Sequence, residues 1–408
     1  MTPIRLTAVL THPIQYYAPW FRQVTAAAPE LSLTVVHAVT PTPEQQGVGF
    51  GRAFTWDVPL TDGYRSVTVR STRAGERIDS QRFTGVDVPE IGAAVASTKP
   101  DVVLITGWYS ITLVRALFAC RRLRIPTLYR GDSHLLAAPG GWRRPLWVAK
   151  TWWLLRQFDG FLSPGIRVHD YLRSFGVLDD RIFAVPHGID NDMFAAAAAR
   201  FQRPDDRAVA RGQWDIAADA FVPLFVGKLV ASKRPLTIVR AAARLGTGVT
   251  VVIAGTGALE PDLRKEASRL GVDVRFVGFL NQTELGKAYA VADCLTLPSD
   301  FPETWGLVVN EALACGLPAV VSDAVGCGPD LIRNGETGFT FPLDNVAALA
   351  ERLGTVRDRK ARGHDWSPAC RATVGRFSYP IMTEGLVRAC QSVLPPPVGV
   401  QQQWQESS

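Results

Sequence analysis

Short apolar runs alternate with helical stretches twice along this chain, and that alternation restricts its architecture more than any other feature. Runs at Ile4–Leu10, Ser32–His37, Asp101–Ile105, Thr127–Arg130, Gly160–Ser163 and Arg181–Val185 read as strands. Helical patterns separate them at Tyr16–Ala27, Ser110–Leu123, Leu146–Phe158 and Ile166–Phe175. The second half repeats the rhythm more cleanly. Its strands are expected at Phe221–Val226, Val249–Ala254, Val274–Val277, Cys294–Leu297, Ala319–Ser322 and Gly338–Phe341, its helices at Pro235–Leu245, Pro261–Leu270 and Thr283–Ala292. Near-continuous apolar strands spaced by helices imply parallel sheets covered on both faces. A chain of 408 residues is too long for one ordinary core and fits two such units. The expected class is therefore α/β, with two doubly wound domains whose strand carboxyl ends face one cleft. The Ala-rich and charge-rich stretch 196–217 reads as the linker between residues 1–195 and 218–376. The Pro- and Gln-rich tail 395–408 reads as disordered.

Composition narrows the class of ligand. Charged residues are a fifth of the chain and the net charge is +6, mild for this size. That balance suits a phosphate-bearing ligand or an anionic lipid surface and demands no nucleic acid, for which no signature is present. The six cysteines are scattered without a C-x-x-C pair and read as reduced, mostly buried thiols of a cytoplasmic protein. The N-terminus reads as a buried strand rather than a leader. No apolar run reaches the ~18 residues of a spanning helix.

One stretch concentrates candidate chemistry. Pro302-Glu303-Thr304-Trp305-Gly306-Leu307-Val308-Val309-Asn310-Glu311 places two glutamates eight positions apart, and Ala312–Pro318 continues it. Gly306 opens a helix that Gly316 and Pro318 close. Glu303 thus sits in the loop before the helix and Glu311 in its second turn. Free amides at a helix start favour phosphate, and flanking carboxylates accept hydrogen bonds from sugar and ribose hydroxyls. Other loops follow the strands of the second half. Gly227-Lys228-Leu229 with Lys233 is an anion site suited to a diphosphate. Gly255-Thr256-Gly257 lacks the full dinucleotide fingerprint. Val277-Gly278-Phe279-Leu280 offers backbone and an aromatic ring to a base. Gly326–Asp330 reads as a tight structural turn.

In this order and spacing the pieces resemble the retaining glycosyltransferases of family 4. Pro186-His187-Gly188-Ile189-Asp190 with Phe194 adds to the likeness, with His in place of that family's Asn. The resemblance covers the second half and implies the GT-B fold, two facing Rossmann-like domains, with residues 377–394 forming a helix that crosses back to the first domain. It implies that Lys228 and Lys233 hold a nucleotide diphosphate. Glu311 would bind ribose and the backbone of Gly278, Phe279 and Leu280 the base. Glu303 would grip the donor sugar beside the amides of Thr304, Trp305, Gly306 and Leu307. Relatives usually carry Arg where Lys228 stands, so the charge is kept and the bidentate fork is lost. The first domain departs further. Its opening loop, Thr11-His12-Pro13-Ile14-Gln15-Tyr16-Tyr17, replaces a glycine-rich turn and is expected to shape the acceptor side through His12, Gln15 and Tyr16. Gly131-Asp132-Ser133-His134 stands where relatives carry a catalytic His-Asp pair; Asp132 fits by position and His134 by chemistry. His37, His169 and His364 read as structural.

The implied reaction is front-face transfer from a nucleotide-diphosphate sugar to a hydroxyl acceptor (a glycan, a lipid-linked or a small-molecule acceptor) with retention. No metal or other cofactor is required if lysines and a helix start neutralise the diphosphate, and Asp190-Asn191-Asp192 is read as structural although it mimics a D-x-D metal motif. Rival readings are a sugar-nucleotide epimerase using His134 or His12 as base, a phosphorylase, which Glu311 argues against, and a nucleotide-binding module without turnover. The segment 142–156 mixes four tryptophans with basic residues. It reads either as an interfacial helix resting on the inner membrane face or as a helix packed on its sheet.

Overall fold

A computed structural model describes residues 2–48, 50–72, 82–201, 203–301 and 303–395. The tail expected to be disordered lies, beyond Pro395, outside the described residues. Seven strands build the first sheet: β1 (Ile4–Leu10), β2 (Leu31–Thr40), β3 (Arg65–Ser71), β4 (Val102–Ile105), β5 (Thr127–Arg130), β6 (Gly160–Ser163) and β7 (Ile182–Ala184). Six build the second: β8 (Pro223–Val226), β9 (Thr250–Ala254), β10 (Asp273–Gly278), β11 (Cys294–Leu297), β12 (Ala319–Ser322) and β13 (Gly338–Phe341). All neighbours run parallel, in the orders β3-β2-β1-β4-β5-β6-β7 and β10-β9-β8-β11-β12-β13. Each order reverses once, between β1 and β4 and between β8 and β11. At such a reversal the adjacent helices leave on opposite faces and open a crevice beyond the strand ends.

Both sheets are doubly covered because their central strands are almost wholly apolar; every residue of β4, β8, β11 and β12 is buried. The cores lie on the two faces of the first sheet and around the second. Helix Tyr379–Ser392 packs Met382, Leu386, Ala389 and Cys390 into the first sheet's core, on the side of helix Tyr17–Ala27. This helix thus binds the second domain to the first.

Three stretches differ from the sequence reading. Residues 196–217 are not an open linker. Helices Asn191–Ala199 and Pro204–Gly212 pack on the second domain, with Phe194, Ala198, Ala210 and Ile216 in its core. Between His37 and Asp101, where no strand is expected, lies edge strand β3, whose exposed Arg65 and Thr68 leave no apolar run to detect. Helix Arg143–Leu155 begins before Pro145, because amides of a first helical turn have no intrahelical partner for proline to remove.

Candidate functional site

The loops at the two reversals meet. A cavity of about 510 Å³ is lined from the first domain by Tyr16 and Tyr17 after β1, Thr106–Tyr109 after β4, and Arg130–Ser133 at the end of β5 and just beyond it. From the second domain come Lys233 and the run Glu303–Val308. A smaller cavity of about 140 Å³ adjoins it, sharing Tyr16 and Val308, and reaches Gly227, Gly255, Phe279, Leu280 and Glu311.

Local geometry explains why the Glu303 loop is presented. Gly306 has φ +99° and stands just before helix Leu307–Ala314; an added Cβ there would meet Leu297 Cδ2 at 2.9 Å. The loop is zipped to its neighbour by Gly326 N–H to Glu303 O and Cys327 N–H to Trp305 O, both 2.9 Å. Trp305 is buried and donates from Nε1 to Asn310 Oδ1 (2.9 Å), and Asn310 Nδ2 donates to His187 O across the cleft (2.9 Å). Lys233 forms an ion pair with Glu303 at the cavity wall. Thr304 Oγ1 donates to Asp132 Oδ2 at 2.6 Å, joining the two sides.

Glu311 is fully buried. Tyr16 Oη donates to its Oε1 (2.8 Å) and Tyr289 Oη to its Oε2 (2.5 Å). Burial raises its pKa to about 7, against the lowering effect of the two phenols. A carboxylate has about four acceptor sites. With one phenol on each oxygen, one site per oxygen remains, which matches a vicinal diol. Tyr16 and Tyr289 thus fix the orientation of the acid without saturating it.

Several expected site residues lie elsewhere. Lys228 is not on either cavity wall. Its Nζ donates to Val48 O (3.1 Å) and sits 4.7 Å from the centre of the Phe50 ring, on a first-domain strap that crosses to the second domain. Gly278 ends β10 at φ +75°, and its carbonyl accepts from Gly255 N–H (2.7 Å), while Phe279 and Leu280 face the small cavity. His134 is buried away from the cavity, and burial followed by the charge of Arg167 lowers its pKa. Asp132 and Ser133 line the cavity in its place. His12 bonds through Nδ1 to Thr11 Oγ1 (2.9 Å), is lowered by burial to about 4, and lines neither cavity. Gln15 faces the small cavity rather than the acceptor side. Asp190 caps its helix by accepting from Met193 N–H (2.9 Å), and Asn191 Nδ2 donates to Val374 O and Phe377 O.

Other residues enter the site without having been anticipated. Arg130 is buried at the end of β5 and lines the large cavity. It donates to Val185 O (2.7 Å), Pro186 O (3.3 Å) and Tyr17 Oη (3.2 Å), and has no carboxylate partner among the described residues. Its Nη2 lies 3.3 Å from His187 Nδ1, so Nδ1 accepts and Nε2 carries the ring proton. Burial and then Arg130 hold His187 neutral, well below the usual histidine range. An arginine at the carboxyl end of a central strand, where binding loops begin, was the available signal. Phe50, Phe54 and Trp56 of the strap gather around Phe279, with ring centres 5.0, 4.5 and 6.4 Å away. Nothing in their spacing announced that contact.

Residues 53–193 match the model described as Glycosyltransferase Family 4, and residues 206–372 the model described as Glycosyl transferases group 1. The D-inositol 3-phosphate glycosyltransferase of Mycobacterium tuberculosis is 36% identical over 217 residues, which are 51% of this chain and 43% of that relative, so the match spans less than half the length of the curated relative. Anabaena HepE, solved with UDP and glucose, superposes with a TM-score of 0.71 at 17% identity, over 95% of this chain and all of the other. Sucrose-phosphate synthase from Thermosynechococcus elongatus gives 0.71 at 18% identity, over 96% and 99%. The two family models fall in turn on the first and second sheets, and with that shared architecture this chain belongs to the family 4, group 1 glycosyltransferases of GT-B fold.

Proposed function

We propose that the chain transfers a sugar from a nucleotide-diphosphate sugar to a hydroxyl acceptor with retention of anomeric configuration. The observation that carries this is the shared wall of the two cavities. Glu303, Lys233 and the first amides of helix Leu307–Ala314 stand on one side of it, and Glu311 with two ordered phenols on the other. In this reading the base lies by Phe279 and Leu280, the ribose diol bonds Glu311, and the diphosphate meets Lys233 and the amides from Thr304 to Leu307. Lys233 then exchanges part of its bond to Glu303 for phosphate, freeing that carboxylate for a sugar hydroxyl.

Transfer breaks the bond between the anomeric carbon and the leaving phosphate oxygen. The acceptor oxygen attacks the same face, and its proton passes to the departing phosphate. Catalysis rests on positioning and on stabilising charge as it develops on the diphosphate, a task for pre-set donors in a site screened from water. Arg130, buried without an acid, adds positive potential at the cavity wall; Asp132, held by Thr304, faces the sugar. The epimerase reading needs a base at His134 or His12, and neither lines the cavity. Because HepE was solved with UDP and glucose, UDP-glucose is the first donor to try. A lipid-linked acceptor is favoured by the exposed tryptophans of helix Arg143–Leu155.

The test is UDP release from UDP-glucose and other sugar nucleotides across an acceptor panel. The expected result is acceptor-dependent release, reduced at least about 100-fold by Lys233→Met and by Glu303→Gln. Tight nucleotide binding with no release for any donor and acceptor would leave the module reading standing instead.

A further inference from the structure

We propose that helix Arg143–Leu155, with the chain entering it, seats the protein on an anionic lipid bilayer beside the acceptor end of the cavity. The proposal deepens the lipid-linked reading above, and its test does not depend on turnover. One face of the helix is committed to the fold: Thr151, Leu154 and Leu155 are buried, and Trp147 packs on Phe175 at 5.5 Å. Among the described residues little covers the other face beyond Phe118, whose ring lies 5.6 Å from that of Trp153. Trp142 is 76% exposed and Leu146 67%, with Val148, Trp152 and Trp153 exposed beside them and Leu135 and Leu136 just before. Among the described residues, seven of the 17 exposed large hydrophobics therefore fall between positions 135 and 153. Scattered single apolar residues need no explanation, whereas a clustered set marks a docking surface.

Charge identifies what covers it. From Trp108 to Phe158 the sequence holds nine Lys and Arg against one acid, Asp132, an excess of eight where the whole chain has six. Asp132 and Arg130 belong to the cavity, so the surface share of this stretch is basic throughout. Arg143, Arg144, Lys150 and Arg156 are exposed and have no acidic partner among the described residues. Two of them lie against tryptophan rings, Arg156 at 4.0 Å from Trp152 and Arg143 at 5.3 Å from Trp142. Rings with cations at their level are how a helix lies in the headgroup layer, with its apolar face in the acyl boundary. A second copy of the chain is a poor occupant, because pairing these faces would oppose like charges. A span is excluded for this 13-residue helix, and none of the described helices is long and apolar enough to cross a membrane. The surface also adjoins the chemistry: Ser133 lines the cavity and exposed Leu135 follows two residues later.

The test is sedimentation of the purified chain with vesicles of phosphatidylcholine alone or mixed with phosphatidylglycerol, alongside the variants Trp142→Ser/Leu146→Ser/Trp153→Ser and Arg143→Gln/Arg144→Gln/Lys150→Gln. Binding is expected to the anionic vesicles only, with partition falling about five-fold per cation removed and weakening as salt shortens the reach of the charges. The apolar triple variant should lose at least about 100-fold, with its melting temperature and its nucleotide affinity unchanged. No binding to anionic vesicles, equal binding by the variants, or self-association through this face without vesicle binding would each overturn the proposal. Any of these would leave the donor-site reading untouched.

Discussion

Replacing Tyr16 by Phe tests the Glu311 site through its protonation. In the folded chain Glu311 has a pKa of about 7, above its ordinary value of 4.5. The native state therefore holds a proton that the unfolded chain releases between those limits, and stability falls as pH rises from 4.5 to 7. A rise of that size corresponds to roughly 3 kcal/mol lost across the window. Removing the Tyr16 hydroxyl takes one donor from the charged form, a hydrogen bond worth about 1.5–3 kcal/mol. The folded pKa then moves higher still, and the loss extends beyond pH 7. Tyr16→Phe should thus cost little at pH 5, where the acid is neutral in the native state, and about 1.5–3 kcal/mol at pH 9. Melting temperatures across pH 5 to 9, read beside Glu311→Gln, supply the assay. Glu311→Gln should flatten this part of the pH dependence in both backgrounds. A Tyr16→Phe penalty equal at pH 5 and pH 9, or an unchanged pH profile in Glu311→Gln, would refute the argument.

Three further outcomes follow from the packing. Asp293 is buried; that burial pushes its pKa up, but Lys360, Arg207 and Arg211 outweigh it and hold the acid below its ordinary value. Its contribution is present above the unfolded pKa and lost on acidification, and Asp293→Asn, which leaves buried Arg211 without a counter-ion, should cost about 3–5 kcal/mol at pH 7 in urea unfolding. Gly306→Ala forces a side chain into φ +99° against Leu297 and Val325, so it should lose about 1–3 kcal/mol and weaken nucleotide binding in calorimetry. Leu386→Asp places a charge in the first domain's core; hydrogen exchange should rise in β1, β4 and β5 and stay unchanged in β8 and β11.

What the sequence made legible follows from which forces are local. Central parallel strands are apolar on both faces, so β4, β8, β11 and β12 were visible as runs, and the fold followed from their alternation with helices. The Glu303–Glu311 spacing was legible for a similar reason: Gly306 and Gly316 mark both ends of one helix. Edge strand β3 was not, because with a solvent-facing side it carries Arg65, Thr68 and Arg70. Lys228 and His134 lie off the two cavity walls for one shared reason. Lys228 advertises a positive charge near a glycine loop, but whether it faces the ligand depends on Val48 and Phe50, some 180 residues away. His134 has suitable chemistry, yet the turn after β5 gives the cavity to Asp132 and Ser133.

The contacts that make the site are also those that close the molecule. Tyr16 on Glu311, Asp132 with Thr304, Asn310 on the His187 carbonyl, Lys228 on the strap and Thr256 Oγ1 on Phe50 O (2.6 Å) all join one domain to the other. Each is a single hydrogen bond, worth about 0.5–1.5 kcal/mol net between neutral groups and about 1.5–3 kcal/mol where one partner is charged, beside the apolar anchorage of helix Tyr379–Ser392. Tyr16 is the first-domain group bonded to Glu311, so the first domain shares in the burial that raises its pKa. Opening the cleft would hydrate that carboxylate and return it toward ordinary acidity. Ionisation of Glu311 and separation of the domains are therefore linked, and rising pH favours the open arrangement.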